Sequence, residues 1–131
     1  MPRVLALVDD LLFLSRIREA ARGADLEVRP VRSPAQLVDG VRDGARLVLV
    51  DADSGRLPWV DAVAALRGEG PDASSAVPVV AFFSHVNEDR GRQARAAGCD
   101  RVLARGAFVK ELPALLASTR ALATSLEEPK P

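Results

Sequence analysis

Short apolar runs that end in aspartate constrain the fold of this chain more than any other feature. Residues 4–8 read Val-Leu-Ala-Leu-Val before Asp9 and Asp10, and residues 47–50 read Leu-Val-Leu-Val before Asp51. Runs without polar alternation are typical of strands that are covered on both faces of a parallel sheet. Two such strands would bring their carboxylates to one edge, where like charges are costly unless a cation, a proton or a basic side chain relieves them.

The same alternation of apolar runs and longer amphipathic segments predicts five strands and five helices. The strands are predicted at residues 3–8, 26–31, 47–50, 77–83 and 101–104. Strands that alternate with helices imply a parallel sheet with right-handed crossovers. We therefore expect an α/β fold of the flavodoxin-like, doubly wound (βα)5 type, with five parallel strands in the order 2-1-3-4-5.

Helical spacing of apolar residues predicts an inward face for each helix. In the first three helices these residues are Leu14, Ile17 and Ala21, then Leu37, Val38 and Val41 after the N-cap Ser33, then Trp59, Val63 and Leu66. The fourth helix, near residues 88–97, is polar and contains Gly91, so it is expected to be the least stable. The fifth is expected to start near Leu112 with Pro113 in its first turn, and to bury Leu115, Leu116, Thr119 and Leu122. The domain is assigned to residues 1–123, with a tail at 124–131.

Composition excludes several classes of protein. The 131 residues contain 18 Lys and Arg against 18 Asp and Glu, and the zero net charge argues against a dedicated nucleic-acid binder. Cys99 is the single cysteine, so an internal disulfide or a cysteine-based metal site is excluded. No apolar run is long enough to cross a bilayer, and no signal peptide is evident, so we expect a cytoplasmic protein without membrane contacts.

Five segments carry a more specific pattern at the predicted strand ends. They are Val8-Asp9-Asp10, Val50-Asp51, Pro78-Val79-Val80, Ala97-Gly98 and Arg105. In these segments the chain resembles the CheY-like receiver domains of bacterial response regulators, which act in two-component phosphorelays, and the resemblance spans residues 3–123.

The resemblance implies a site for phosphoryl transfer. Asp51 matches the phosphoacceptor, and Asp9 and Asp10 match the acidic pair that holds a divalent cation, expected to be Mg²⁺. Asp53 matches the residue whose backbone carbonyl completes the metal shell. Such chemistry requires cations, because an aspartate carboxylate and a phosphoryl donor repel each other.

The chain departs from the family pattern at the positions that sense the phosphoryl group. Phe83 stands at the hydroxyl position that ends strand 4, with Ser84 next to it. Arg105 stands at the lysine position after strand 5, and Val102 replaces the aromatic switch residue. Without the hydroxyl, the lysine and the aromatic, the usual response to phosphorylation is lost. These departures indicate an atypical receiver, or pseudo-receiver.

Alternatives stay open at three of these positions. Asp51 is either a phosphoacceptor beside a metal or the partner of Arg105 in an internal ion pair, because arginine is always charged and pairs well with carboxylates. Phe83 is either a core residue or a plug over the pocket. Ser84 supplies the hydroxyl only if strand 4 is shifted by one residue. Such a shift would exchange the side chains of this strand between the two faces of the sheet.

The leading functional hypothesis is a protein-interaction module with a receiver fold that works without phosphorylation. It would bind signalling proteins, or a second copy of itself, through helix 4, strand 5 and helix 5, where Arg90, Arg92, Arg95 and Arg101 cluster. The alternative is a conventional single-domain response regulator that a histidine kinase phosphorylates on Asp51. An enzyme or nucleotide-binding function is disfavoured, because acidic residues replace a glycine-rich phosphate loop after strand 1.

Overall fold

The computed structural model describes residues 3–69, 76–84 and 88–127, and the side chains as far as residue 122. Within these ranges the chain forms five strands and five helices in strict alternation. The strands are β1 (Arg3–Leu7), β2 (Glu27–Pro30), β3 (Leu47–Asp51), β4 (Val79–Phe83) and β5 (Arg101–Ala104). The helices are α1 (Leu11–Gly23), α2 (Pro34–Arg42), α3 (Trp59–Arg67), α4 (Glu88–Ala97) and α5 (Arg105–Glu127).

The sheet has the predicted topology. All neighbouring strands are parallel, and the order β2-β1-β3-β4-β5 confirms the flavodoxin-like prediction. The order reverses between β1 and β3, so a crevice opens at the carboxyl ends of these two strands. In the register of β3 and β4, Asp51 is the partner of Phe82, and Phe83 is the partner of Ala104 in β5.

Two hydrophobic clusters cover the two faces of the sheet. Leu5 and Val48 belong to the cluster that α2, α3 and α4 complete. Val4 and Leu49 belong to the cluster that α1 and α5 complete. Successive strand residues alternate between these clusters. Asp51, two residues after Leu49, therefore lies on the face covered by α1 and α5.

The first three helices bury the faces that their sequences predict. The residues named above for α1, α2 and α3 are all at most 8% exposed. Ser33 caps α2, since its Oγ accepts a hydrogen bond from the backbone N–H of Gln36 at 3.1 Å. No helix in the described parts of the chain has the length and apolar character needed to span a membrane.

Helix α5 differs from its prediction at both ends. It begins at Arg105, directly after β5, and not near Leu112. One buried stripe runs along this helix at a spacing of four residues, through Phe108, Leu112 and Leu116. The inward face of the helix therefore begins before Leu112. Pro113 lies inside the helix on its exposed side, where the ring does not disturb the core.

The far end of α5 also corrects two predictions. Leu122 is 53% exposed and does not belong to the core. The helix continues to Glu127, so residues 124–127 of the predicted tail are helical. Residues 128–131 of that tail lie outside the described residues.

The amino ends of β4 and β5 are joined by Arg67, at the end of α3. Its guanidinium donates hydrogen bonds to the carbonyl oxygens of Gly98 and Val77, both at 2.9 Å, and to Asp100 Oδ2 at 2.6 Å. Asp100 Oδ2 also accepts from the N–H of Val79 at 2.8 Å. Gly98 has a φ of +114°, and a Cβ built there would meet Arg67 Cγ at 2.7 Å, so glycine is required on both counts.

Candidate functional site

Four aspartates lie at the carboxyl edge of the sheet, as the sequence predicts. Asp9 and Asp10 follow β1, Asp51 is the last residue of β3, and Asp53 lies in the turn after it. Asp51 is buried, at 4% exposure, whereas the side chains of Asp9 and Asp10 are 25% and 45% exposed. The strand and the turn thus hold one carboxylate inside the protein and the others closer to solvent.

Asp10 caps helix α1. Its Oδ1 accepts hydrogen bonds from the backbone N–H groups of Leu12 and Phe13, at 3.0 and 3.1 Å. Its Oδ2 lies 3.8 Å from an Nη of Arg105. Asp10 therefore combines the structural role of an N-cap with a contact to the arginine of the pocket.

Asp51 is held by its own backbone turn and by Arg105. Its Oδ1 accepts a hydrogen bond from the N–H of Asp53 at 3.0 Å, and its Oδ2 lies 3.9 Å from an Nη of Arg105. Burial raises the pKa of the Asp51 carboxyl above its ordinary value, while the Asp53 amide and the Arg105 charge oppose this rise. The environment therefore disfavours the charged form of Asp51 despite the nearby arginine.

Arg105 lies between two carboxylates and two aromatic rings. Its guanidinium carbon is 4.5 Å from the centre of the Phe13 ring and 5.5 Å from that of Phe82. The contacts to Asp10 and Asp51, near 4 Å, are too long for hydrogen bonds but attractive as charge pairs. The ring of Phe13 is thus a platform for the cation. Phe13 is not among the residues predicted from the sequence, although its position three residues after the cap Asp10 places it beside this edge.

Phe83, at the expected hydroxyl position, lies on the other face of the sheet from Asp51. Phe82 shares the register position of Asp51, so Phe83, the next residue, points to the side covered by α4. There it packs against the core cluster and against Gly91, whose Cβ would lie 3.2 Å from Phe83 Cζ if one were present. Phe83 is therefore partly buried against the core cluster, on the side of the sheet opposite to Asp51.

Ser84 contacts the turn after β3 through its backbone. Its N–H donates a hydrogen bond to Asp53 Oδ2 at 2.5 Å. Among the described residues its hydroxyl makes no hydrogen bond, and the pairing of β3 with β4 runs without interruption from Val79 to Phe82. Ser84 therefore ties β4 to Asp53, and no register shift is present within that ladder.

Val102 and Asp9 lie in different surroundings. Val102 is half-buried and packs against the cluster covered by α2, α3 and α4. Asp9 has an Arg32 nitrogen and an Arg56 nitrogen at 3.8 Å, one near each carboxylate oxygen. Because both arginines are largely exposed, these pairs add little stability.

The carboxylates suit Mg²⁺ in chemistry but not in arrangement. Magnesium prefers oxygen ligands, which Asp9, Asp10, Asp51 and Asp53 could supply. In the described parts of the chain, however, there is no group of three or more His, Cys, Asp or Glu residues that could hold a metal ion. Arginine nitrogens lie within 4 Å of Asp9, Asp10 and Asp51, so the positive charge at this edge comes from the chain itself. The magnesium site therefore stays a prediction.

The sequence comparisons give no match. No protein-family model matches the sequence, and the search of curated proteins finds no significant relative.

The structure comparison, in contrast, finds receiver domains. The receiver domain of a sensor histidine kinase from Pseudomonas aeruginosa PAO1 has a TM-score of 0.74 at 20% identity, over 92% of this chain and 98% of that one. A response regulator of Hahella chejuensis has a TM-score of 0.70 at 20% identity, over 99% of this chain and all of that one. The chemotaxis response regulator CheY4 of Vibrio cholerae has a TM-score of 0.68 at 16% identity, over 91% and 98% of the two chains. The chain therefore has the fold of response-regulator receiver domains.

Proposed function

We propose that this protein is a signalling module with a receiver fold whose output is protein binding and whose activity does not depend on phosphorylation. The observation that carries the proposal is the position of Arg105 between Asp10 and Asp51. Arginine is always charged, so Arg105 can compensate the charge of the carboxylates at this edge without a metal ion. The carboxylates would then serve to fix the edge of the sheet, and catalysis would not be part of the output.

The residues around Asp51 support this proposal. A phosphoryl group needs hydrogen-bond donors and cations close to the oxygens that develop charge. The hydroxyl position at the end of β4 carries Phe83, which packs towards α4, and the switch position carries Val102, which lacks a polar group. A phosphoryl group on Asp51 would thus find neither the hydroxyl nor the aromatic residue through which receivers sense it.

The proposed partner surface consists of α4, β5 and α5. Glu88, Arg92 and Arg95 of α4 line a cavity of about 380 Å³ together with Phe83 and Ala104. This surface is polar and carries the exposed cations Arg95 and Arg92, the second of which is paired with Asp89, so it suits a signalling protein with acidic residues, or the acidic part of a second copy of this chain. The zero net charge of the chain gives no support to a nucleic-acid partner.

Retention of the aspartates favours a second candidate function. Asp9, Asp10, Asp51 and Asp53 lie at the edge where a conventional response regulator would accept phosphate from a histidine kinase. The Pseudomonas aeruginosa receiver domain is described with a magnesium ion in its active-site cleft, and a cyanobacterial phytochrome response regulator is described as phosphorylated. In this candidate function, Mg²⁺ would bind the same carboxylates, and Arg105 would take the place of the lysine.

Intact mass spectrometry distinguishes the two candidates. The protein is incubated with magnesium and acetyl phosphate, beside Asp51→Asn as the control, and circular dichroism verifies that both are folded. We expect no phosphoryl adduct on the wild type. A stoichiometric adduct that Asp51→Asn lacks would overturn the proposal and establish the conventional response regulator.

A further inference from the structure

We propose that the cavity between the first turns of α1 and α5 binds a small amphipathic anion, namely a carboxylate with a compact aromatic or branched apolar body. The cavity has a volume of about 630 Å³, within the usual range for small-molecule sites. The proposed function does not depend on this cavity. The binding chemistry follows from the residues that line the cavity.

Apolar groups form most of the cavity wall. Leu12 and Phe13 contribute from α1, and Val109 contributes from α5. Gly106 also lines the cavity, and a Cβ built there meets no atom within 4 Å, so the missing side chain leaves the space open. Leu12 is 85% exposed and presents its apolar side chain to solvent at the cavity. The wall therefore suits the apolar body of a ligand.

The charged groups around the cavity select an anion. Arg16, Arg105 and Lys110 contribute three positive charges and Asp10 contributes one negative charge, which leaves a net charge of +2. In the part of the chain that the structure describes, Arg16 and Lys110 form no ion pair. Arg105 makes only long contacts to Asp10 and Asp51. Cations without close partners beside an apolar wall match a carboxylate with an apolar body.

The shape of the cavity favours a small ligand over a partner helix. A second cavity, of about 360 Å³, lies between the same two helices and is lined by Ala20 and Ala117 among others. The two cavities share no lining residue. A partner helix would need one continuous groove, whereas this arrangement offers a local recess of small-molecule size.

Binding to this cavity would reach the carboxylate edge through Arg105. A ligand carboxylate would compete with Asp10 and Asp51 for the same guanidinium. In a protein that works without phosphorylation, such a ligand would act on the residues where receivers otherwise take up their signal. This regulatory role rests on the proposed function, whereas the binding itself does not.

A titration with 1-naphthoate, and with 1-naphthalenemethanol as its uncharged analogue, tests the inference. Binding is followed by ¹H–¹⁵N NMR shifts on the full chain. Gly106→Leu fills the cavity at a position with free space, and Arg16→Ala with Lys110→Ala removes two of the cations. Arg18→Ala is the matched control, because Arg18 is an exposed cation of α1 that does not line this cavity.

We expect saturable naphthoate binding with shifts centred on Leu12, Phe13 and Val109. Gly106→Leu should abolish it, the double variant should weaken it about tenfold, and the alcohol should bind about tenfold more weakly. Arg18→Ala should bind as the wild type does.

Absence of saturable binding at millimolar naphthoate, or binding that Gly106→Leu leaves intact, would overturn the inference. Binding of an acidic helical peptide that Leu12→Ser abolishes, without naphthoate binding, would assign the surface to a protein partner instead. Because the mass experiment on Asp51 is independent of these titrations, either proposal can fail alone.

Discussion

Two arginines at opposite edges of the same sheet are held in very different ways. At the amino edge, Arg67 makes three hydrogen bonds to other described residues, between 2.6 and 2.9 Å, and its side chain is 22% exposed. At the carboxyl edge, Arg105 has its carboxylate partners at 3.8 and 3.9 Å, and its side chain is 39% exposed. Arg67 joins segments that precede β4 and β5, whereas Arg105 lies over an aromatic ring between two carboxylates.

The difference separates a structural contact from one that can change. Directional hydrogen bonds to backbone carbonyls and a carboxylate fix Arg67 in one geometry. The long charge contacts of Arg105 depend weakly on distance, and its platform on Phe13 tolerates movement. We infer that the amino edge maintains the fold, and that the carboxyl edge is where binding can alter the protein.

Replacing Arg67 should have the largest effect on stability. Arg67→Ala removes the hydrogen bonds to Gly98, Val77 and Asp100 and takes the cation away from Asp100, so we expect a loss of about 2–4 kcal/mol in the free energy of unfolding. Urea denaturation followed by circular dichroism measures this loss. The matched control is Arg42→Ala, which breaks the exposed pair with Glu69 at 2.7 Å and should cost less than about 0.5 kcal/mol. Similar losses in the two variants would contradict the structural role of Arg67.

Replacing Arg105 should have a smaller effect, and one that depends on Asp51. Arg105→Ala removes the contact with the Phe13 ring and the charge beside Asp51, for an expected loss of about 0.5–1.5 kcal/mol. Asp51→Ala should relieve part of this loss, because the buried charge that needs a cation is then absent. A double-mutant cycle in urea measures the coupling. Additive losses would refute the ion pair, and a loss equal to that of Arg67→Ala would remove the contrast between the edges.

The sequence predicts the sheet far better than it predicts the contacts at its edges. The buried faces of α1, α2 and α3 follow from apolar periodicity, which is a local property. The order of the strands follows from the alternation of strands with helices, for which few topologies are common. The predicted start of α5 near Leu112 is wrong, because Pro113 is compatible with a first turn but the buried stripe from Phe108 to Leu116 continues the helix across it. The side of the sheet on which Phe83 lies depends on the pairing register, which a single sequence does not specify.

The arrangement around Arg105 was only partly predictable. Its proximity to Asp51 follows from the topology, since both lie at the carboxyl ends of parallel strands. The aromatic platform and the contact to Asp10 depend on how α1 packs against α5, which periodicity does not give. The roles of Arg32 and Arg56 near Asp9 arise from loops, whose conformations have no repeating pattern in the sequence.

The pH dependence of Asp51→Asn sharpens the comparison at the carboxyl edge. Because the pKa of Asp51 is raised in the folded protein, the native state holds this proton to higher pH than the unfolded chain does. The contribution of the Asp51 carboxyl to the stability of the wild type is fully present below the pKa of the unfolded chain. This contribution is lost as the pH rises through the pKa of the folded protein. We therefore expect Asp51→Asn to be more stable than the wild type at pH 7, with the difference shrinking towards pH 4. Thermal unfolding of both proteins across this range measures it, and a difference that grows on acidification would contradict the raised pKa.

The smallest effect is expected at Gly91, where α4 packs against Phe83 near the carboxyl edge. Gly91→Ala should gain about 0.5–1 kcal/mol of helix stability, but its new Cβ would lie 3.2 Å from Phe83 Cζ, so the net change should be near zero. In a Phe83→Leu background the contact is relieved, and the same substitution should then stabilise the protein. Urea denaturation of the four proteins in this cycle tests the packing. A full gain in the wild-type background would show that Phe83 does not restrain α4, and that the carboxyl edge is free to move on this side as well.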